Sequence, residues 1–300
     1  MQQRVWPVET PSGKFREVEL GRPTPTQGKV LVRIAASGVN PLDTNIRAGT
    51  AEYSKQPLPA VLGLDMAGTV ENVGSGVTGL KAGDEVFGMV GGAGGLQGTL
   101  TEFVLVDADL LAHKPRNLSM RQAAALPLGT VTAWEGLVDR AQVHAGQKVL
   151  IHAGAGGVGH VARTFGAEVF ATVSPSKKEL MEGFGATPID YRSSSVEEYF
   201  RTFTNGKGFD VVYDTVGGVT LDASFNAVCR YTGHVLSCLG WGSHCLAPLS
   251  FCGATYSGVF TLLPLLTGKG RTHTAKSSPG RPCSLRKARG SCRIHALSRN

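Results

Sequence analysis

Near the middle of the chain, Gly154-Ala155-Gly156-Gly157-Val158-Gly159 fits the spacing G-x-G-x-x-G and follows directly on the apolar run KVLIHA (148–153). Glycine at these spacings lets a chain turn sharply and brings backbone N–H groups within reach of an anion. The start of a following helix then stabilises the negative charge through its dipole. Between a strand and a helix, the pattern predicts that these six residues cradle the pyrophosphate of a dinucleotide. A Gly-rich turn that binds nothing is the alternative.

The end of the next apolar run, AEVFATV (167–173), bears on which dinucleotide is bound. An acid there would hydrogen-bond the ribose 2′-hydroxyl of NAD, whereas a 2′-phosphate calls for small polar and basic groups. Ser174, Lys177 and Lys178 all precede the first acid, Glu179, so the expected cofactor is NADP(H). The competing reading is that these lysines only open a solvated helix.

Such residues need a frame. Apolar runs at 148–153, 167–173, 209–216, 234–240 and 255–263 alternate with KKELMEGFG, SVEEYFRTF and TLDASFNAVCR, whose apolar residues recur at helical spacing. That alternation predicts α/β architecture with a parallel sheet covered on both faces. Earlier runs at 29–39, 66–74, 84–90 and 100–107, separated by Gly and Pro, predict a β-rich domain. LSMRQAAALP (118–127) predicts a helix with Ser119 as N-cap and Pro127 as its stop. The expected organisation is a first domain over residues 1–122, a second over 123–270 and a tail over 271–300.

The tail distorts the bulk charge. Of the formal +7, eight Lys/Arg lie in residues 271–300 beside no acid. The remaining 22 Lys/Arg face 23 Asp/Glu, which leaves the body near neutrality at −1. With few large apolar residues and no period, the tail is expected to be disordered. It could bind acidic partners, but no nucleic-acid motif accompanies it, so no specific nucleic acid is expected. The first residues contain no secretory apolar stretch, and the run Val259–Leu266 is broken by Pro264. No membrane association and a cytoplasmic location are expected. The six cysteines form no Cys-x-x-Cys pair and are expected as free thiols. Phe15, Trp134, Phe225 and Trp241 are expected in the core.

Four segments in fixed order, ASGVNPLDTNIRAG (36–49), LPAVLGLDMAGTVENVGSGVTGLKAGDEVFG (58–88), AAALPLGTVTAWEGL (123–137) and AGAGGVG (153–159), resemble the medium-chain dehydrogenase/reductases. The resemblance extends to about residue 270. It implies a GroES-like β-rich catalytic domain followed by a Rossmann doubly wound parallel-sheet domain. Within that superfamily the chain resembles the quinone oxidoreductases. By that likeness Asn40 would hydrogen-bond near the nicotinamide, with Thr132 beside it, and Ser174, Lys177 and Tyr191 would hold the adenosine phosphate. Asn45 stands where those enzymes usually carry a Tyr, so a donor survives without an aromatic wall. A homodimer through TYSGVFTLL (255–263) is also implied.

The alcohol dehydrogenases of the superfamily place a catalytic Cys where this chain has Asn40, and a His where it has Leu64 of Gly63-Leu64-Asp65. Leu64 has no lone pair and a carboxamide is a poor zinc ligand. No Cys precedes residue 229, so a structural zinc quartet is missing as well. His113, His144, His152 and His160 are expected in loops and helix starts. No metal is expected, and a zinc-type alcohol dehydrogenase is the rival reading. Without a metal, hydride transfer from NADPH to a small-molecule electron acceptor fits, such as a quinone or an activated C=C or C=O. Two departures allow a catalytically inactive, degenerate relative. The run HVARTF before Gly166 is short for the helix after Gly159, and the basic tail stands where relatives return to complete the first domain.

Overall fold

Strand-forming runs broken by Gly and Pro build the first of two units in the computed structural model, which describes residues 1–156 and 165–277. Gly157, Val158 and Gly159, most of the short helix expected after them, and the tail from residue 278 lie outside the described residues. The first unit comprises Met1–Val131 with residues 261–277, and the second comprises Thr132–Phe260.

In the first unit, β1 (Lys29–Ser37), β2 (Asp65–Val73), β3 (Glu85–Met89), β4 (Phe103–Asp107) and β5 (Ala112–His113) form an antiparallel sheet in the order β4-β1-β2-β3-β5. Helix α1 (Pro41–Ala48) starts with Asn40 as N-cap and Pro41 at its first position, where the missing N–H costs nothing, and ends at Gly49 with φ 76°. Helix α2 (Met120–Ala124) is capped reciprocally by Ser119 and Gln122. It packs Ala123 and Ala124 on Ala67, Phe87 and Ala112 of the sheet. Pro127 does more than end α2. It opens α3 (Pro127–Trp134), and the turn Glu135–Arg140 that follows is π-helical.

In the second unit, β6 (Lys148–Ile151), β7 (Glu168–Val173), β8 (Thr187–Asp190), β9 (Val211–Asp214), β10 (His234–Ser237) and β11 (Thr255–Gly258) are all parallel, in the order β8-β7-β6-β9-β10-β11. Alternate residues divide between two cores, as the two-residue period of a strand requires. Val149, Ile151, Val169, Ala171 and Tyr213 pack on one face, with Met181 of α4 (Lys178–Gly183). Leu150, Phe170, Val212 and Val235 pack on the other, with Tyr199 of α5 (Val196–Thr204), Phe225 of α6 (Val219–Ala227) and Leu249 of α7 (Ala247–Cys252). The Tyr213 hydroxyl donates to the Thr132 carbonyl at 2.8 Å, and Gly136 lies so close to that ring that a Cβ would stand 2.6 Å from it. The carbonyl of Thr132 thus has a partner other than the helix backbone where the helix widens to a π turn.

Several local expectations change. β8 contains Pro188 and was not anticipated, since proline argues against a central strand, but at the sheet edge its missing N–H breaks no ladder. The run 255–263 is not one strand. β11 stops at Gly258, and α8 (Leu263–Thr267) begins with Pro264 near its start. Burial of Val259, Leu262 and Leu265 explains the apolar run without a strand. Residues Arg271–Ser277, expected to be disordered, form a helix, α9. Its Arg271 donates to Asp107 at 2.7 Å and to the Pro264 carbonyl at 3.1 Å, while the small residues Thr274, Ala275 and Ser277 are buried. Burial alone would raise the Asp107 carboxyl, but bonds from the Asp109 amide and Arg271, with Lys29 nearby, hold it below its ordinary value. Phe15 and Trp241 are 43% and 46% exposed, so neither is a core residue, whereas Phe225 is. Among the described residues no helix is long and apolar enough to cross a membrane.

Arg271→Ala and Asp107→Ala should each lower the unfolding free energy by about 1–2 kcal/mol, and the double variant by less than their sum. Urea titration of the four proteins checks this, and strict additivity would mean that the pair does not anchor α9.

Candidate active site

The strand order reverses between β6 and β9, so the connections leaving their carboxyl ends depart in opposite directions and open a crevice. After β6 the chain runs His152, Ala153, Gly154, Ala155, Gly156. The left-handed residue of this turn is Ala153, with φ 53°, rather than one of the described glycines. Its amide donates to Thr172 Oγ1 at 3.1 Å and the Gly154 amide donates to the Thr172 carbonyl at 3.2 Å, which staples the turn to β7. A Cβ on Gly154 would lie 2.6 Å from Ala171 Cβ, so this glycine serves close packing on β7. Among the described residues, a Cβ on Gly156 would meet the Ala153 carbonyl at 3.7 Å, an ordinary van der Waals contact. The Gly156 amide donates to the Ala153 carbonyl at 3.3 Å, which closes the turn. His152 lies in this turn, as expected, but is buried. Its Nδ1 lies 3.3 Å from Thr172 Oγ1, and burial pushes its pKa down to about 4.

The other lip is fixed by a residue outside the Gly-rich motif. Asp214, at the end of β9, is fully buried and accepts from the amides of Val216 and Gly217 and from Ser237 Oγ at 2.7 Å. Thr215 Oγ1 then donates to the His152 carbonyl at 2.6 Å, tying the two lips together. An acid inside the apolar run FDVVYDTV was the available signal.

Val173 pairs in register with Asp190, so Ser174 and Tyr191 leave the sheet side by side at its carboxyl edge. Lys177, Tyr191 and Arg192 are exposed there, and Ser174 is half-buried with its Oγ 3.2 Å from Ser176 Oγ. Arg192 was not anticipated. Its guanidinium lies 5.7 Å from the Tyr191 ring centre and Nε donates to the hydroxyl at 3.5 Å. Two cations, two hydroxyls and a phenol thus gather in one corner, with no acid at the end of β7.

On the first unit, Asn40 is held twice. Its amide donates to Asp43 Oδ2 at 2.8 Å, and its side-chain Nδ2 donates to Asp65 Oδ2 at 2.9 Å. Asp43 Oδ1 accepts from the Leu64 amide and Asp65 Oδ2 accepts from the Leu128 amide, both at 3.0 Å. Burial raises both carboxyls, that of Asp65 to about 7. Asn45 lies further along α1 with its side chain exposed. Thr132 is half-buried in the second unit, its carbonyl taken by Tyr213.

A zinc ion does not fit the Asn40 position. Leu64 is fully buried and offers only an aliphatic side chain, and the Asn40 carboxamide is engaged by Asp65. Among the described residues no three His, Cys, Asp or Glu side chains are grouped to hold a metal. His113 ends β5 and pairs with the Gly79 carbonyl, and His144 is exposed in a turn, while His160 lies outside the described residues.

Two family models match: the alcohol dehydrogenase GroES-like domain over residues 26–116 and the zinc-binding dehydrogenase over residues 156–261. The chain is 57% identical to an alcohol dehydrogenase superfamily protein from Novosphingobium aromaticivorans, with a TM-score of 0.89 over 92% of this chain and 84% of that one. It is 30% identical to a quinone oxidoreductase from Pseudomonas syringae pv. Tomato DC3000, with a TM-score of 0.77 over 92% and 86% of the two chains. It is 41% identical to the chloroplastic NADPH-dependent alkenal/one oxidoreductase of Arabidopsis thaliana over 64% of this chain and 50% of the relative. The chain spans about half the length of the curated plant relatives it matches.

The two glycines should separate by experiment. Gly154→Ala should destabilise the fold by about 1–3 kcal/mol through overpacking on Ala171. Gly156→Ala should change stability by less than ~0.5 kcal/mol. Equal melting shifts for the two variants would refute this division of roles.

Proposed function

Because this chain belongs to the medium-chain dehydrogenase/reductase superfamily, in its quinone oxidoreductase-like branch, we propose that it is a zinc-independent, NADPH-dependent reductase of small electron-poor acceptors. The corner of Ser174, Lys177, Tyr191 and Arg192 beside the Gly154–Gly156 turn carries the reading. The cofactor, when bound, supplies a hydride. The Gly-rich turn after β6 would bring the chain close to the pyrophosphate, and the helix expected after it would face the same charge. Lys177 and Arg192 would neutralise the 2′-phosphate while Ser174 and Tyr191 donate to it. With no acid at the end of β7, nothing there would favour the unphosphorylated ribose. Asn40 would offer its carboxamide to the nicotinamide or the acceptor, with Thr132 and Asn45 as the further contacts. Buried Leu64 and the engaged carboxamide of Asn40 support chemistry without zinc. The acceptor class is a quinone or an α,β-unsaturated carbonyl, in keeping with the names of the quinone oxidoreductase and the alkenal/one oxidoreductase it resembles.

The proposal extends to assembly. β11 is paired on one side only among the described strands, so a second copy could extend the sheet through residues 255–263. Light scattering at micromolar concentration should give a dimer mass. A monodisperse monomer counts against this.

Lys177→Ala should shrink the preference for NADPH over NADH more than tenfold, since one charge-assisted phosphate bond contributes about 1.5–3 kcal/mol. Gly156→Ala should weaken both cofactors alike. Fluorescence titration gives the affinities, and equal affinity of the unmodified protein for the two cofactors would sink the assignment. Oxidation of NADPH by a naphthoquinone and by an enone, each followed by absorbance, tests the acceptor class. Cofactor binding with no turnover on either would favour the inactive-relative reading.

A further inference from the structure

The reductase reading uses Asn40 and leaves unexplained the carboxyl group behind it. Asp65 is fully buried at the start of β2, and its backbone carbonyl accepts from the Gly38 amide at 2.9 Å and from Ser37 Oγ at 3.3 Å. Its side chain meets the same loop two residues later, through Asn40 Nδ2. Gly38 has no room for a side chain, because a Cβ there would stand 2.2 Å from the Ala124 carbonyl oxygen and 2.9 Å from Asp65 Cβ. The loop that delivers Asn40 is therefore pressed onto Asp65 by backbone and side chain together.

We propose that Asp65 is a positioning residue that fixes which atoms of the Asn40 carboxamide are presented to the reacting molecules. The inference rests on the reading that gives Asn40 a place beside the nicotinamide or acceptor. A carboxamide has two nearly isosteric orientations, with the nitrogen and oxygen exchanged. Against a carboxylate oxygen only the orientation that points N–H inward is favourable, since the other sets oxygen against oxygen. One N–H of Asn40 is thereby committed to Asp65, and that bond sets the direction in which Oδ1 and the second N–H point.

Protonation does not undo this arrangement. Asp65 Oδ2 already accepts from both Asn40 and the Leu128 amide, whereas Oδ1 is buried with no hydrogen-bond partner among the described residues. A proton goes to Oδ1, and Oδ2 goes on accepting from Asn40, more weakly than the ionised group does. Burial chiefly, with the nearby Asp43 carboxyl, raises the group to about 7, while the Asn40 and Leu128 donors oppose that rise. Asp43 on α1 is the charged group facing it among the described residues, and α3 contributes the Leu128 amide. The grip on Asn40 should therefore tighten as pH rises through about 7.

Four proteins test the inference: the unmodified chain, Asn40→Ala, Asp65→Leu and Asp65→Asn. For each, NADPH affinity by fluorescence and steady-state turnover of a naphthoquinone are measured from pH 5.5 to 8.5. Loss of positioning should lower kcat for Asp65→Leu by about 100-fold, as for Asn40→Ala, while NADPH affinity stays within about twofold. Asp65→Asn keeps an acceptor oxygen for both donors and should restore kcat to within about tenfold of the unmodified protein. Its pH profile should lose the rise near pH 7. If Asn40→Ala turns over normally, the role given to Asn40 falls and the inference falls with it. If Asn40→Ala is impaired but Asp65→Leu is not, the inference alone is wrong. Should Asp65→Leu fail to fold, Asp65→Asn decides, and a pH profile identical to that of the unmodified protein overturns the proposal.

Discussion

The six-stranded parallel sheet of the second unit has no face turned to water, and most of what this protein can do follows from that. Residues on alternate sides of each strand pack into two separate cores, so a polar group cannot leave the sheet sideways without crossing apolar packing. Chemistry is confined to the strand ends. At the carboxyl edge the order reverses between β6 and β9, and the turn after β6 and the loop after β9 become the two lips of a crevice. Gly154 shows how tight the arrangement is, since one added carbon would collide with Ala171 on the neighbouring strand.

Buried carboxylates organise both units, in different ways. Asp214 is surrounded by donors and uses them to hold a loop against its neighbours. Such a group costs desolvation that several charge-assisted bonds can offset. Asp65 has donors on one oxygen only, and the other is stranded in the interior. The consequence is a carboxyl that burial raises to about 7, beside the Asn40 carboxamide. Asp43 completes the set by tying the Asn40 and Leu64 amides to the start of α1.

Membership in a superfamily that includes zinc enzymes does not carry zinc with it. The positions that matter here hold a carboxamide engaged with a carboxylate and a fully buried leucine. The zinc-binding name belongs to a model that matches only residues 156–261, in a part of the chain that contains neither Asn40 nor Leu64.

Alternation of apolar runs with helical spacing was enough to call for a parallel sheet with two covered faces, because burial on both sides demands uninterrupted apolar strands. The G-x-G-x-x-G spacing and the hydroxyl-and-lysine run after β7 are local patterns, and reading them needs no knowledge of distant partners. What lay beyond reach depended on partners far along the chain. Pro188 concealed β8, because only its place at the sheet edge makes proline harmless there. Composition argued for disorder at Arg271–Ser277, and the bonds of Arg271 to Asp107 and Pro264 overrule it. Trp241, expected in the core from its type alone, stands half in water against Phe260. Arg192 came to stand near Ser174 and Tyr191 only through the register of Val173 with Asp190, which sets two strand ends side by side. Asp65 looked like one letter of a motif. Its burial, its missing partner and its hold on Asn40 arise from packing between segments 25 residues apart, which no local pattern encodes.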